Sequence, residues 1–241
     1  MNADGLKAVI FDIGDTLIPA TRIGIESLSD AVEKLERDQL IADPAAFKRT
    51  YAEVDSATTR PHVNHLFSSH AIAQEVVERL GYDRPQRLAI AFVAVYRDGV
   101  RRRINRDADV VQAVAALKQA GLMVAVVTDG SAVHQTETLY RLGLLPLLDS
   151  VTVSEECGEE KPSPGIFEAA LQGLWVREPR EVLMIGDSLH RDIAGAGALG
   201  LRTAITIEYS SARIAESNEW STDLVIENLR DWLVGFIKEI R

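Results

Sequence analysis

Residues 7–15 read KAVIFDIGD, a short apolar run rich in branched side chains that stops at Asp12 and is followed by Gly14 and Asp15. Unbroken hydrophobicity over a few positions marks a strand buried on both faces, and a polar turn with glycine ends it. Such a strand needs neighbours, and none follows directly. From Thr21 to about Gly99 the pattern is helical instead, with four amphipathic stretches near 22–37, 44–58, 64–80 and 86–98. Gly81, just after Leu80, is placed to cap the third of them.

Beyond Asn105 helices and strands alternate. A helix carrying Val110, Val111, Val114 and Leu117 stops at Gly121, and the strand 122–128 follows. Further strands are expected at 150–154, 182–186, 203–207 and 224–226, with helices at 132–142, 164–173 and 190–199 between them. Ser163 and Pro164 give one helix a capping side chain and a proline at its first position. In the last helix Leu229, Trp232, Leu233, Phe236, Ile237 and Ile240 share a face. Alternation of this kind implies a parallel sheet covered on both sides. The expected fold class is therefore α/β: a Rossmann-like open parallel sheet with helices on both faces, plus an inserted α-helical cap domain. The core would comprise 1–18 and 105–241, and the cap 19–104.

The 241 residues suffice for this arrangement, and 46% hydrophobic with 26% charged residues is an ordinary globular balance. No apolar run approaches the roughly 20 residues of a membrane span. The N-terminus reaches its apolar segment without the basic region and cleavage site of a signal peptide. Cys157 is the single cysteine, so no internal disulfide can form. A cytoplasmic enzyme fits these features. A formal net charge of −10 argues against nucleic acid as a partner. The membrane is not expected as one either, and the oligomeric state is left open. The basic cluster Arg101–Arg103 with Arg106 reads as a solvated hinge face in a connecting stretch. An acidic protein that handles an anion needs a local cation or metal against its own field, which directs attention to the aspartates.

In open parallel sheets ligands bind beyond the carboxyl ends of the strands. There the first strand places Asp12, Gly14, Asp15 and Thr16. The strand at 122–128 places Thr128, Asp129 and Gly130. The strand at 182–186 places Asp187 and Ser188, with Asp192 a turn further on. Lys161 lies just before the helix opened by Pro164. Any one of these residues can be a helix cap or turn former. Together they form a cluster of carboxylates that would repel one another without a cation. Hard oxygen donors suit Mg²⁺.

FDIGDTL at 11–17, VVTDG at 126–130, KPSPGIF at 161–167 and MIGDSLHRDIAGAGALG at 184–200 resemble, in order and spacing, the four motifs of the haloacid dehalogenase superfamily. The resemblance spans about 8–18 and 105–240. It implies a hydrolase that uses Mg²⁺ on a small phosphorylated substrate, with Asp12 as the nucleophile that takes the phosphoryl group. Thr128 would bind that group, with Asp129 and Gly130 on the same turn, and Lys161 would neutralise its charge. Asp187 and Asp192, with Asp12 and the carbonyl of Gly14, would hold the metal.

One position departs from the family pattern. Phosphatases of this type usually carry a second Asp, the acid–base residue, where Gly14 stands, and Asp15 occupies a position usually held by Gly. Three readings follow. Asp15 or a water could perform the acid–base work, or a leaving group of low pKa could need little protonation. The chain could belong to a non-phosphatase branch, either dehalogenase-like or phosphonatase-like, the latter requiring Lys34 or Lys48 as an imine-forming lysine. It could also be a weakly active ligand-binding or regulatory protein. For substrate contacts in the cap, Arg22, Arg60 and His65 are the candidates.

Overall fold

A computed structural model describes residues 5–58, 69–209 and 222–239. The chain divides into two compact units: Met1–Ala20 with Arg106–Arg241, and Thr21–Asn105. The second unit is made of helices α1 (Ala20–Arg37), α2 (Pro44–Thr58), α3 (Ser69–Arg79) and α4 (Pro85–Arg103). Along α1 the buried residues are Ile23, Ser27, Ala31, Val32 and Leu35, the spacing of one helical face. Ala31, Val32 and Leu35 join Phe47, Tyr51, Val54, Val76, Leu88 and Phe92 in one apolar core. Helix α3 ends as the sequence suggests: Gly81 takes φ +71, a left-handed conformation that glycine adopts without strain, and its N–H donates to the Glu78 carbonyl at 3.0 Å.

Helix α4 runs further than expected. Arg101–Arg103 form its last turn and are not a connecting stretch. Cations there suit the negative end of the helix dipole. Arg102 pairs with Asp98, and Arg103 reaches Glu26 and Asp30 on α1, each at 2.9 Å.

The other unit is built on six strands: β1 (Ala8–Phe11), β2 (Met123–Thr128), β3 (Ser150–Val153), β4 (Val182–Gly186), β5 (Arg202–Thr206) and β6 (Leu224–Ile226). All pair in parallel, in the order β3-β2-β1-β4-β5-β6. This is the doubly wound, Rossmann-type order, and it reverses between β1 and β4. Helices α5 (Ala108–Gln119), α6 (Ala132–Leu142), α7 (Ser154–Cys157), α8 (Pro164–Gly173), α9 (Gly195–Ala198) and α10 (Leu229–Glu239) complete the unit. All four residues of β1 are buried, as a strand covered on both faces requires. Its Ala8 and Ile10 pack with Val127, Phe167, Met184 and Ala196.

Two local expectations change. Ser163 precedes α8, but its hydroxyl bonds to the Glu159 carboxylate and leaves the helix backbone uncapped. The helix expected at 190–199 is a wide π-helical turn, Leu189–Ala194, followed by the single turn of α9. The widening goes with an inward polar residue: Asp192, 1% exposed, accepts the Ser188 backbone N–H at 3.0 Å. Turns of this kind recur at functional sites.

Candidate active site

The reversal of strand order puts the ends of β1 and β4 side by side. Phe11 pairs with Ile185, so Asp12 and Asp187 leave adjacent strands, and the Asp12 N–H donates to the Ile185 carbonyl at 3.0 Å. One strand over, β2 ends in Thr128, paired with Val153 of β3. Asp12, Thr128, Lys161 and Asp192 are each at most 6% exposed, and Asp187 is half-buried. The π-helical turn brings Asp192 back beneath the β4 end, where Gly186 makes the space. A Cβ on Gly186 would meet the Asp192 carboxyl carbon at 2.4 Å.

Lys161 is the hub. Its Nζ donates to Asp12 Oδ1 at 2.6 Å, to Asp192 Oδ1 at 2.7 Å and to the Val127 carbonyl at 3.3 Å. The other oxygen of Asp12 accepts the Thr16 hydroxyl at 3.3 Å. Carboxylate oxygens of Asp12, Asp187 and Asp192 lie within 4.8 Å of one another. One ammonium thus faces three acids, and the imbalance registers in their affinity for protons. Burial, and then the charge of Asp192, push Asp12 up to about 6 even though Lys161 acts the other way. Asp187 rises to about 7 through burial and the charges of Asp192, Asp12 and Asp15. For Lys161 burial favours the neutral amine, but the carboxylates of Asp12, Asp192 and Asp129 outweigh it and hold the ammonium above its usual range. An all-oxygen donor set with surplus negative charge is what a hard divalent cation such as Mg²⁺ requires, so the residues present fit that ion.

The residues singled out by the sequence are therefore largely brought together. Gly14 and Asp15 follow Asp12 in a tight turn, where the N–H groups of Leu17 and Ile18 both donate to the Ile13 carbonyl. Asp15 has φ +52, a left-handed conformation that favours glycine. Gly14 has no such requirement, and a Cβ there would meet Ala20 Cβ at 3.5 Å, an ordinary contact. Gly130 is fixed by its N–H bond to the buried Ser154 hydroxyl at 2.9 Å. The side chain of Asp129 points to other partners: Oδ1 accepts the Lys161 backbone N–H at 2.9 Å, and Oδ2 accepts Arg191 Nε at 3.1 Å. Only its backbone is left for a phosphate. Arg22 belongs to the helical unit, where Nε stands 4.0 Å from Glu26 Oε1. Arg60 and His65 lie outside the described residues. Sequence reasoning put Thr16 at this edge without a role, and missed Arg191 and Ser154. Arg191 alone had a visible signal, its place directly before Asp192.

Comparisons with known proteins identify the family and the fold. A glyceraldehyde 3-phosphate phosphatase from Methanopyrus kandleri is 33% identical over 198 residues, covering 82% of both chains. A ribulose-1,5-bisphosphate 5-phosphatase from Halopiger xanaduensis is 30% identical over 205 residues, covering 82% of this chain and 83% of the relative. Among solved structures, the magnesium-bound YfnB from Bacillus subtilis has the same fold, with a TM-score of 0.73 at 19% identity over 97% of this chain and 99% of that one. The model of the haloacid dehalogenase-like hydrolases matches residues 6–200. The chain belongs to the haloacid dehalogenase-like hydrolase family.

Proposed function

We propose that the chain is a Mg²⁺-dependent phosphatase of small phosphorylated metabolites that works through an aspartyl-phosphate on Asp12. The observation that carries this reading is the buried cluster in which Lys161 bridges Asp12 and Asp192 beside Asp187. Asp12, Asp187, Asp192 and the carbonyl of Gly14 would hold the ion, which when bound supplies positive charge against the phosphoryl oxygens. Asp12 attacks phosphorus through a carboxylate oxygen, and the bond from phosphorus to the ester oxygen breaks. Water then attacks the acyl phosphate, releasing inorganic phosphate and restoring the carboxylate. The Lys161 ammonium, the Thr128 hydroxyl and the backbone N–H of Asp129 neutralise and orient the transferring group, while Gly130, its own N–H held by Ser154, shapes the turn; this is most of what phosphoryl transfer asks of a protein. An acidic donor set suited to a metal ion favours a phosphatase over a metal-free dehalogenase. A phosphonatase-like route is disfavoured at Lys34, whose ammonium is held by Asp38 Oδ1 at 2.7 Å on the helix surface.

The proton for the leaving group is the one part without a side chain at its usual place. Gly14 cannot titrate, so substrates with acidic leaving groups should react fastest. Phosphate release in Mg²⁺ from p-nitrophenyl phosphate and from a metabolite panel, including glyceraldehyde 3-phosphate and ribulose 1,5-bisphosphate, tests this. Asp12→Asn should lose more than about a thousandfold. Gly14→Asp, which the backbone accommodates, should raise turnover of alkyl phosphates by about a hundredfold and of the aryl ester far less. Asp15→Asn asks whether the neighbouring acid contributes. A wild type inert on every ester, with activity appearing only in Gly14→Asp, would overturn the phosphatase reading in favour of a ligand-binding role.

A further inference from the structure

Asp129 joins three loops that the sheet alone does not tie together. Its side chain is 9% exposed, and both oxygens are used, Oδ1 on the Lys161 backbone N–H at 2.9 Å and Oδ2 on Arg191, through Nε at 3.1 Å and through Nη2. Arg191 directly precedes Asp192, and Asp192 Oδ1 accepts Lys161 Nζ at 2.7 Å. The contacts close a ring: Arg191 to Asp129, Asp129 to the Lys161 backbone, the Lys161 ammonium to Asp192, and Asp192 back to Arg191 along the chain. A lysine has a flexible four-carbon stem, and fixing its tip requires fixing its backbone as well. Arginine suits the outer link, because its planar fork engages a carboxylate in one orientation. The Arg191 side chain is nevertheless 53% exposed, so it is not needed to fill the core.

We propose that Arg191 is a positioning residue: acting through Asp129, it sets the backbone of Lys161 and thereby keeps the ammonium between Asp12 and Asp192. What that ammonium is for rests on the function proposed above, but the clasp itself does not.

The test has two arms. In the first, the ¹⁵Nζ resonance of Lys161, assigned by its loss in Lys161→Arg, is followed in the full-length protein. Arg191→Ala should shift or broaden it, and Arg191→Lys should bring it part of the way back. In the second, kcat/KM on p-nitrophenyl phosphate should fall about ten- to a hundredfold in Arg191→Ala, the scale of a small misplacement of a charged group. The same change made on top of Asp129→Asn should cost little more than Asp129→Asn alone. An unmoved Lys161 resonance in Arg191→Ala overturns the clasp, and so does strict additivity of the two substitutions. A wild type without phosphatase activity removes the function proposed above, while the resonance still decides the clasp.

Discussion

In the helical unit Phe47, Tyr51, Val76 and Phe92 close a core in which the Phe92 ring lies 5.1 Å from Phe47 and 5.5 Å from Tyr51, and Ser27 is, among the described residues of that unit, the buried Ser, Thr or charged side chain. In the sheet unit the strands are as apolar, yet at their carboxyl ends Asp12, Thr128, Lys161 and Asp192 are buried as deeply as the core. Apolar packing needs no partner beyond shape. Buried charge does, and with three acids to one lysine the sheet unit is left with an unmet demand for a cation. The contrast separates the region organised for stability from the region organised for chemistry.

The strongest way to break that contrast is Lys161→Met. Turnover should fall more than about a thousandfold, and the metal-free protein should lose about 3–5 kcal/mol, the scale for removing one partner of a buried ion pair. Added Mg²⁺ should recover part of the lost stability, because it meets the same demand. Phe92→Ala in the helical unit should cost a similar 3–5 kcal/mol with inorganic phosphate affinity unchanged. Thermal melts with and without Mg²⁺, beside phosphate titrations, compare the two variants. Equal sensitivity of both melts to Mg²⁺ would erase the distinction.

A smaller effect concerns pH. Asp12 and Asp187 bind protons more tightly in the folded protein, at about 6 and about 7, than at the ordinary 3.8. Their contribution therefore favours the folded state at low pH, weakens as pH climbs from about 4 through 7, and is level above that. Mg²⁺ competes with those protons, so the rise in melting temperature it produces should be larger at pH 8 than at pH 5. The reverse order would argue that the cation binds elsewhere.

The least effect is expected away from the site. Asp107 caps α5, accepting the N–H groups of Asp109 and Val110 at 3.1 Å, and it pairs with Arg230. Burial would raise its pKa, but Arg230 and the helix N–H groups outweigh it and hold Asp107 below 3.8. Its contribution is thus present above about pH 4 and lost on acidification. Asp107→Ala should cost about 1 kcal/mol at neutral pH and leave turnover as it was, which melting and a steady-state assay together check.

Much of this organisation is legible in the sequence because it depends on local pattern. A run such as Ala8–Phe11 cannot be anything but covered on both faces, and polar residues clustered after three strands have to share one edge once those strands are parallel. What escaped depends on distant partners. Arg103 belongs to α4 because Glu26 and Asp30 receive it, and a run of arginines looks the same in a helix end as in a linker. The π-helical turn follows from the pull of Asp192 inward, and Arg191 gains its meaning from Asp129, 62 residues earlier in the chain. No periodicity records such a pairing.

The placement of β1 also bears on how the chain is assembled. It precedes the other five strands of the sheet in the chain, yet it lies in the middle of the sheet, with partners that begin at Met123 and Val182. On a ribosome β1 would emerge long before either neighbour, while Thr21–Asn105 form a compact unit within that span. Vectorial folding then favours the helical unit first, with the sheet waiting for β4. The detour costs little: closure entropy grows only logarithmically, about 0.6 kcal/mol for each doubling of a flexible loop. An insert that folds on itself holds the loop's ends near each other at still smaller cost, so the junctions after β1 and before α5 are places where a lineage can exchange one insert for another without disturbing the sheet.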